Sequence, residues 1–257
     1  MMWSFQKKQL RVKEEAAAVE KKGGFPATPW SVVLRAGGTD SPGAAHALER
    51  LCRMYWYPLY AFLRRQGATA HDAEDLTQSF FEHLFEKNAL KTLGREKGKF
   101  RSFLLAACMN FLRDTRDKAG AKKRGGAHTL IPLDSAQAEE LYAKEGSNGE
   151  DAGRLYDRRW AFTLLNAAVA RLRGEYEGTG KEALFEKLSP YLTREIDGRF
   201  YAEEAAGLNL SEGAARVALH RMRRRFGALL RSEVAHTVSD EEEVEAELRA
   251  LLAAIAE

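Results

Sequence analysis

From Ala44 the apolar residues recur at intervals of three and four, the spacing of one helical face. Leu48, Leu51, Cys52, Tyr55, Leu59, Phe62 and Leu63 form the first stripe, with Pro58 inside it and Gly67 ending it. Ala73, Leu76, Phe80 and Leu84 predict a second helix, for which Asp72 is the expected cap. A third starts near Lys99, buries Phe103, Leu104, Ala107, Cys108 and Phe111, and runs on as a basic rod to Gly125 and Gly126. Trp160, Leu164, Leu165, Ala168 and Leu172 predict a fourth, and Leu184, Phe185, Leu188 and Leu192 a shorter one. Two more follow over residues 201–207 and 211–231. Val244, Leu248, Leu251, Leu252 and Ile255 then give the chain's end an apolar stripe expected to dock on the body.

Between these stripes the pattern lapses. Residues 1–43 combine charges with Gly23, Gly24, Pro26, Pro29, Gly37, Gly38 and Pro42, which reads as a weakly ordered arm. Residues 127–154 are rich in acids and glycine, the composition of a flexible linker. The expected organisation is therefore an arm (1–43), a helical domain (44–126), an acidic linker (127–154), a second helical domain (155–238) and an acidic amphipathic helix (239–257).

Composition supports an all-α class with two small helical domains. The 257 residues include 40 Ala and 31 Leu against 9 Val and 3 Ile, which favours helix and starves a sheet. Cys52 and Cys108 sit within apolar stripes, too few for a disulfide framework or a zinc site, and point to a reducing, cytoplasmic setting. No uncharged run approaches the ~18 residues of a membrane span, and the charged N-terminus does not resemble a signal peptide. The net charge of +3 conceals a segregation, since the last 19 residues hold seven acids and one base.

Two constellations carry chemistry. In Tyr201-Ala-Glu-Glu-Ala205-Ala-Gly-Leu208-Asn209-Leu210-Ser211, a small residue, a turn-tolerant Asn and a capping Ser lie where a helix-turn-helix needs them. The helix after Ser211 presents Arg216, His220, Arg221 and Arg223 to Arg225, a cationic face suited to phosphates and guanine edges in a major groove. A solvated basic helix packed on its own domain is the plainer alternative. The second constellation, Phe100, Arg101, Phe103, Asn110, Phe111, Arg113, Arg116 and Lys118, mixes aromatics with cations as capture of unpaired bases requires, although Phe103 and Phe111 are core by spacing. Gly94 to Phe100 lacks the Ser or Thr of a phosphate loop. His71, Asp72, Glu74 and Asp75 read as helix-start polarity, and Glu82-His83 has no partner motif, so no metal, cofactor or catalytic residue is expected.

Asp72-Ala-Glu-Asp75-Leu-Thr-Gln78-Ser-Phe-Phe81, followed by Gly98-Lys-Phe-Arg101-Ser-Phe103 and a basic helix, resembles region 2 of bacterial RNA polymerase sigma factors. Leu210-Ser-Glu-Gly-Ala-Ala-Arg216 through Leu219-His-Arg221 resembles their region 4. Two such halves without an intervening domain are similar to the extracytoplasmic-function group of the sigma-70 family, over residues 44–237. The resemblance implies that Asp72, Asp75, Gln78 and Phe81 face the clamp helices of the polymerase β′ subunit. By the same resemblance Arg101, Asn110, Arg113, Arg116 and Lys118 hold the melted minus-10 element. Ser211, Ala214, Arg216, His220, Arg221 and Arg224 would approach the minus-35 element. It further implies a contact with the β flap and possible control by an anti-sigma or other regulatory protein.

A free-standing helix-turn-helix regulator, or an RNA-binding or scaffold protein, could use the same basic faces. The acidic tail could also cover the arginine helix through complementary charge, with simple amphipathic packing as the alternative.

Overall fold

The computed structural model describes residues 42–86, 99–119, 135–144, 149, 151–194, 207, 210–238 and 240–256. Among these, 86% are helical and none lies in a strand, so the chain is all-α. The helices are α1 (Pro42–Arg65), α2 (Ala70–Glu86), α3 (Phe100–Ala119), α4 (Ser135–Lys144), α5 (Ala152–Glu177), α6 (Glu182–Leu188), α7 (Glu212–Ala235) and α8 (Glu242–Ala256), with a 3-10 turn at Ser189–Tyr191. They form two compact units, one within Met1–Ala161 and Ala235–Glu257, the other within Phe162–Val234. Residues 1–41, the loop 87–98 and the first helix of the expected helix-turn-helix, apart from Gly207, lie outside the described residues.

In the first unit, α1 packs against α2, α3 and α4. Of its stripe, Cys52, Tyr55, Leu59, Phe62 and Leu63 are all in the interior, while the side chains of Leu48 and Leu51 lie outside the described ones. Tyr55 meets Phe100 of α3 edge to face at 5.0 Å. Cys52 and Cys108 are free and buried, and burial pushes the Cys108 thiol up to about 12, which removes its reactivity.

The cap of α2 differs from expectation. Thr69, not Asp72, stands before the first turn: its Oγ1 accepts the Asp72 backbone N–H at 3.1 Å and donates to Asp72 Oδ2 at 2.7 Å. A capping side chain must precede the amide it receives, by two or three residues, so Asp72 lies inside the helix it was expected to cap; it accepts the Thr69 hydroxyl and complements the helix dipole.

The acidic segment also differs from a simple linker, because α4 forms within it. Ala138 is buried, and Glu139 accepts hydrogen bonds from Tyr60 Oη at 2.5 Å and from Arg64 Nε and Nη2 at 3.0 and 2.7 Å. The Arg64 guanidinium lies over the Tyr142 ring at 4.8 Å. Further on, Asp151 Oδ2 accepts the N–H groups of Gly153 and Arg154 at 2.9 and 3.3 Å and so starts α5. These acids dock a helix and cap another.

The Arg64 hydrogen bonds hold the Glu139 carboxyl below its ordinary range, against an opposing push from burial. Its contribution to stability is therefore present above the unfolded value of about 4.3 and is lost as pH falls through the lower native value. Urea unfolding of wild type and Glu139→Gln should show a gap at pH 7 that closes toward pH 3. A gap that is constant with pH would contradict this role for the carboxylate.

The C-terminal helix α8 belongs to the first unit and buries Val244, Glu247 and Leu251, while Leu252 is 61% exposed. Amphipathic packing is thus the observed role of the stripe, although with Glu247 rather than Leu252 inside it. Just before α8, Thr237 is buried and its carbonyl accepts the Phe100 N–H at 3.1 Å.

The second unit holds the C-terminal part of α5 with α6 and α7. Leu164, Ala168, Leu172, Phe185, Leu188, Leu219, Met222 and Phe226 form its interior, whereas Leu165 and Leu192 are half-buried. The domain boundary expected at 127–154 falls later in the chain, within α5, because α4 and the first turns of α5 bury their apolar residues in the first unit.

Candidate nucleic-acid interface

Helix α7 begins at a Ser cap: Ser211 Oγ accepts the Ala214 N–H at 3.2 Å, and the Ser211 carbonyl accepts the Ala215 N–H at 3.0 Å. Ser211→Ala should destabilise the second unit by about 1 kcal/mol, seen as a lower urea midpoint. An unaltered midpoint would mean that water replaces the cap without loss. Beyond the cap, Ala215, Leu219, Met222, Phe226, Leu229 and Leu230 turn inward. At about 100° per residue, that stripe sends Val217, His220, Arg221 and Arg224 to the opposite side.

The arginines of α7 divide into two groups according to this geometry. Arg223 and Arg225 lie on the flanks of the buried stripe and are used inside the unit. Arg223 donates to the Tyr191 carbonyl at 2.8 and 3.2 Å and also to the Arg194 carbonyl. Arg225 forks onto Glu175, with Nε and Nη2 donating at 2.8 and 2.5 Å; these bonds hold the Glu175 carboxyl below its usual range. Such pairs orient the α5 and α7 side chains while adding modest stability at the surface.

The outward face is different. Arg216 is exposed and pairs with Glu212 one turn back at 2.9 Å. Ser211, Ala214, His220, Arg221 and Arg224 are exposed as well. His220, Arg221 and Arg224 have no ionic partner among the described residues. A helix with two unpaired guanidinium groups beside an imidazole can contact phosphate oxygens and base edges, since both present acceptors to a planar fork.

In the first unit, the residues expected at single-stranded DNA separate in the same way. Asn110 and Arg113 are exposed on α3. Arg116 and Lys118 lie on the last turns of that helix, and their side chains are outside the described residues. Arg101 is held internally: Nε and Nη2 donate to Glu247 at 2.9 and 3.2 Å, Nη1 donates to Asp157 at 2.5 Å, and the guanidinium lies over Trp160 at 4.5 Å. Burial disfavours its charge, but the two carboxylates more than offset this and raise its pKa. Arg101 is thus a packing cation, a correction to its expected place beside DNA.

The aromatics of α3 also face inward. Phe100 is fully buried, and Phe111 meets Phe80 and His83 at 5.7 and 5.4 Å. Among the described residues of this helix the exposed large apolar side chain is Met109, at 50%.

On α2, Asp72 and Asp75 are exposed and Gln78 is half-exposed, donating to Glu82 at 3.1 Å. Phe81 is fully buried and supports this ridge from beneath, which corrects its expected role as a contact residue. Beside Asp72 and Asp75 opens a surface cavity of about 400 Å³, floored by Leu63, Leu76 and Leu112. His71 approaches Asp75 at 3.6 Å in an exposed pair, and no three His, Cys, Asp or Glu side chains converge on a metal position among the described residues.

The contributions of Glu247, Glu139 and Glu175 were not anticipated. Each joins residues dozens of positions apart, and only Glu247 carried a local signal, an acid within an apolar stripe. No protein-family model, curated protein or solved structure matches the chain.

Proposed function

We propose that this chain is a sigma factor of the extracytoplasmic-function type, which binds bacterial RNA polymerase core and directs it to promoters. The observation that carries the reading is the outward face of α7, where a Ser-capped helix presents His220, Arg221 and Arg224 with no ionic partner among the described residues, while Arg223 and Arg225 are engaged within the unit. That face suits the duplex minus-35 element. Asn110 and Arg113, followed by Arg116 and Lys118, suit the melted minus-10 strand. Asp72, Asp75 and Gln78 form an acidic ridge for the basic side of a polymerase helix pair, and the second unit meets the β flap. An anti-sigma protein is a natural regulator of such a molecule.

The reading places the protein in the cytoplasm with its polymerase. It calls for no catalytic residue, metal or cofactor of its own, since RNA synthesis belongs to the polymerase. No described helix is long and apolar enough to cross a membrane.

Single-round transcription with core polymerase from the same source, over a pool of genomic fragments, tests it. New transcripts that share two spaced upstream elements are expected. Tight duplex binding by the chain alone, without core binding or new transcripts, would replace this reading with that of a free-standing regulator.

A further inference from the structure

Val217 is an apolar residue on the outward face of α7. It is 49% exposed and, at about 100° per residue, it lies among Arg221 and Arg224 on the side of α7 opposite the buried stripe. Isolated exposed apolar residues are common on proteins, and Leu252 is one. Val217 differs in its neighbours, because Arg216, His220, Arg221 and Arg224 are exposed around it. A β-branched residue is also a poor choice for an exposed helical position, where it loses side-chain freedom without gaining burial. Its stiffness becomes useful if a partner supplies the missing apolar contact, since little entropy remains to be lost on binding.

We propose that Val217 reads the 5-methyl group of a thymine in the major groove; this rests on the reading of α7 as a duplex-DNA helix and deepens it. Arginines on phosphates orient a helix but carry no sequence information. Among the base edges of the major groove, the thymine methyl is the apolar group that matches an isopropyl side chain surrounded by cations. RNA fits poorly, because its A-form major groove is too narrow for side chains to read and its uracil lacks the methyl. Val217 is therefore a specificity residue, whereas Arg221 and Arg224 supply most of the affinity.

The test uses the full chain, alone and with polymerase core, and a duplex selected by the protein from a random pool. Each thymine is replaced in turn by deoxyuridine, which removes only the methyl group. At one position affinity should fall about three- to fivefold, the value of burying one methyl group. Val217→Ala should bind the thymine and deoxyuridine duplexes equally, while Val217→Thr, which keeps one methyl, should retain part of the difference. Because the side chain is exposed, neither variant should lower the urea midpoint, and Val217→Ala should raise it slightly through its better helix propensity. If deoxyuridine is tolerated everywhere while Arg221→Ala still weakens binding, the Val217 inference falls and the DNA-binding reading of α7 stands. If the chain selects no duplex, or prefers RNA, both fall.

Discussion

Replacing Glu247 by alanine is expected to destabilise the first unit by about 3–5 kcal/mol, a large share of the roughly 5–15 kcal/mol that holds a typical domain folded. The Glu247 side chain is wholly buried, and Lys99 Nζ and Arg101 Nε donate to it at 2.8 and 2.9 Å. Without the carboxylate, the largely buried Arg101 keeps Asp157 as its one carboxylate partner among the described residues, and two of its donors lose their acceptor. Lys99 is 29% exposed and can turn its ammonium to water, so Arg101 bears most of the loss. Trp160 lies 4.5 Å beneath the Arg101 guanidinium, so its fluorescence should report the transition.

Glu247→Gln should fall between wild type and alanine, since an amide oxygen still accepts hydrogen bonds without supplying charge. The double variant Arg101→Met with Glu247→Leu should be more stable than Glu247→Leu alone, because it removes both buried charges together. A Glu247→Ala midpoint equal to that of wild type would show that this network contributes no net stability.

Loss of Arg221 and Arg224 together should weaken duplex binding at least tenfold and reduce the slope of log affinity against log salt by about 0.9 for each phosphate contact removed. Stability should not change, since both side chains are exposed and unpartnered among the described residues. The converse pair behaves oppositely. Arg223→Ala leaves the Tyr191 and Arg194 carbonyls without their donor and should destabilise the second unit by about 1–2 kcal/mol. Arg225→Ala should add a small loss through Glu175. Neither should alter the salt slope. Measuring urea midpoints and anisotropy titrations on both pairs checks the division; equal affinity losses from the two would refute it.

Periodicity alone suffices for the all-α class and for most of the interior, because a helix buries the residues that share its face whatever it packs against. Tyr55, Leu59, Phe80, Leu104, Leu164, Leu219 and Met222 are legible in this way. The same periodicity keeps the arginines of α7 off the buried face of a capped helix. Composition is a poor guide to the acidic segment, where Glu139 and Asp151 resemble linker residues until Arg64 and the first turn of α5 are set beside them. Charge in sequence likewise leaves Arg101, Arg223 and Arg225 indistinguishable from Arg113, Arg221 and Arg224. Their separation depends on acceptors distant along the chain, Glu247, the Tyr191 carbonyl and Glu175, which are brought near only by folding. A helical pattern specifies which side chains turn inward, but whether a cation at the edge of that face is satisfied or left for a ligand depends on the neighbouring helix. Packing therefore decides which of the many basic residues remain available for binding.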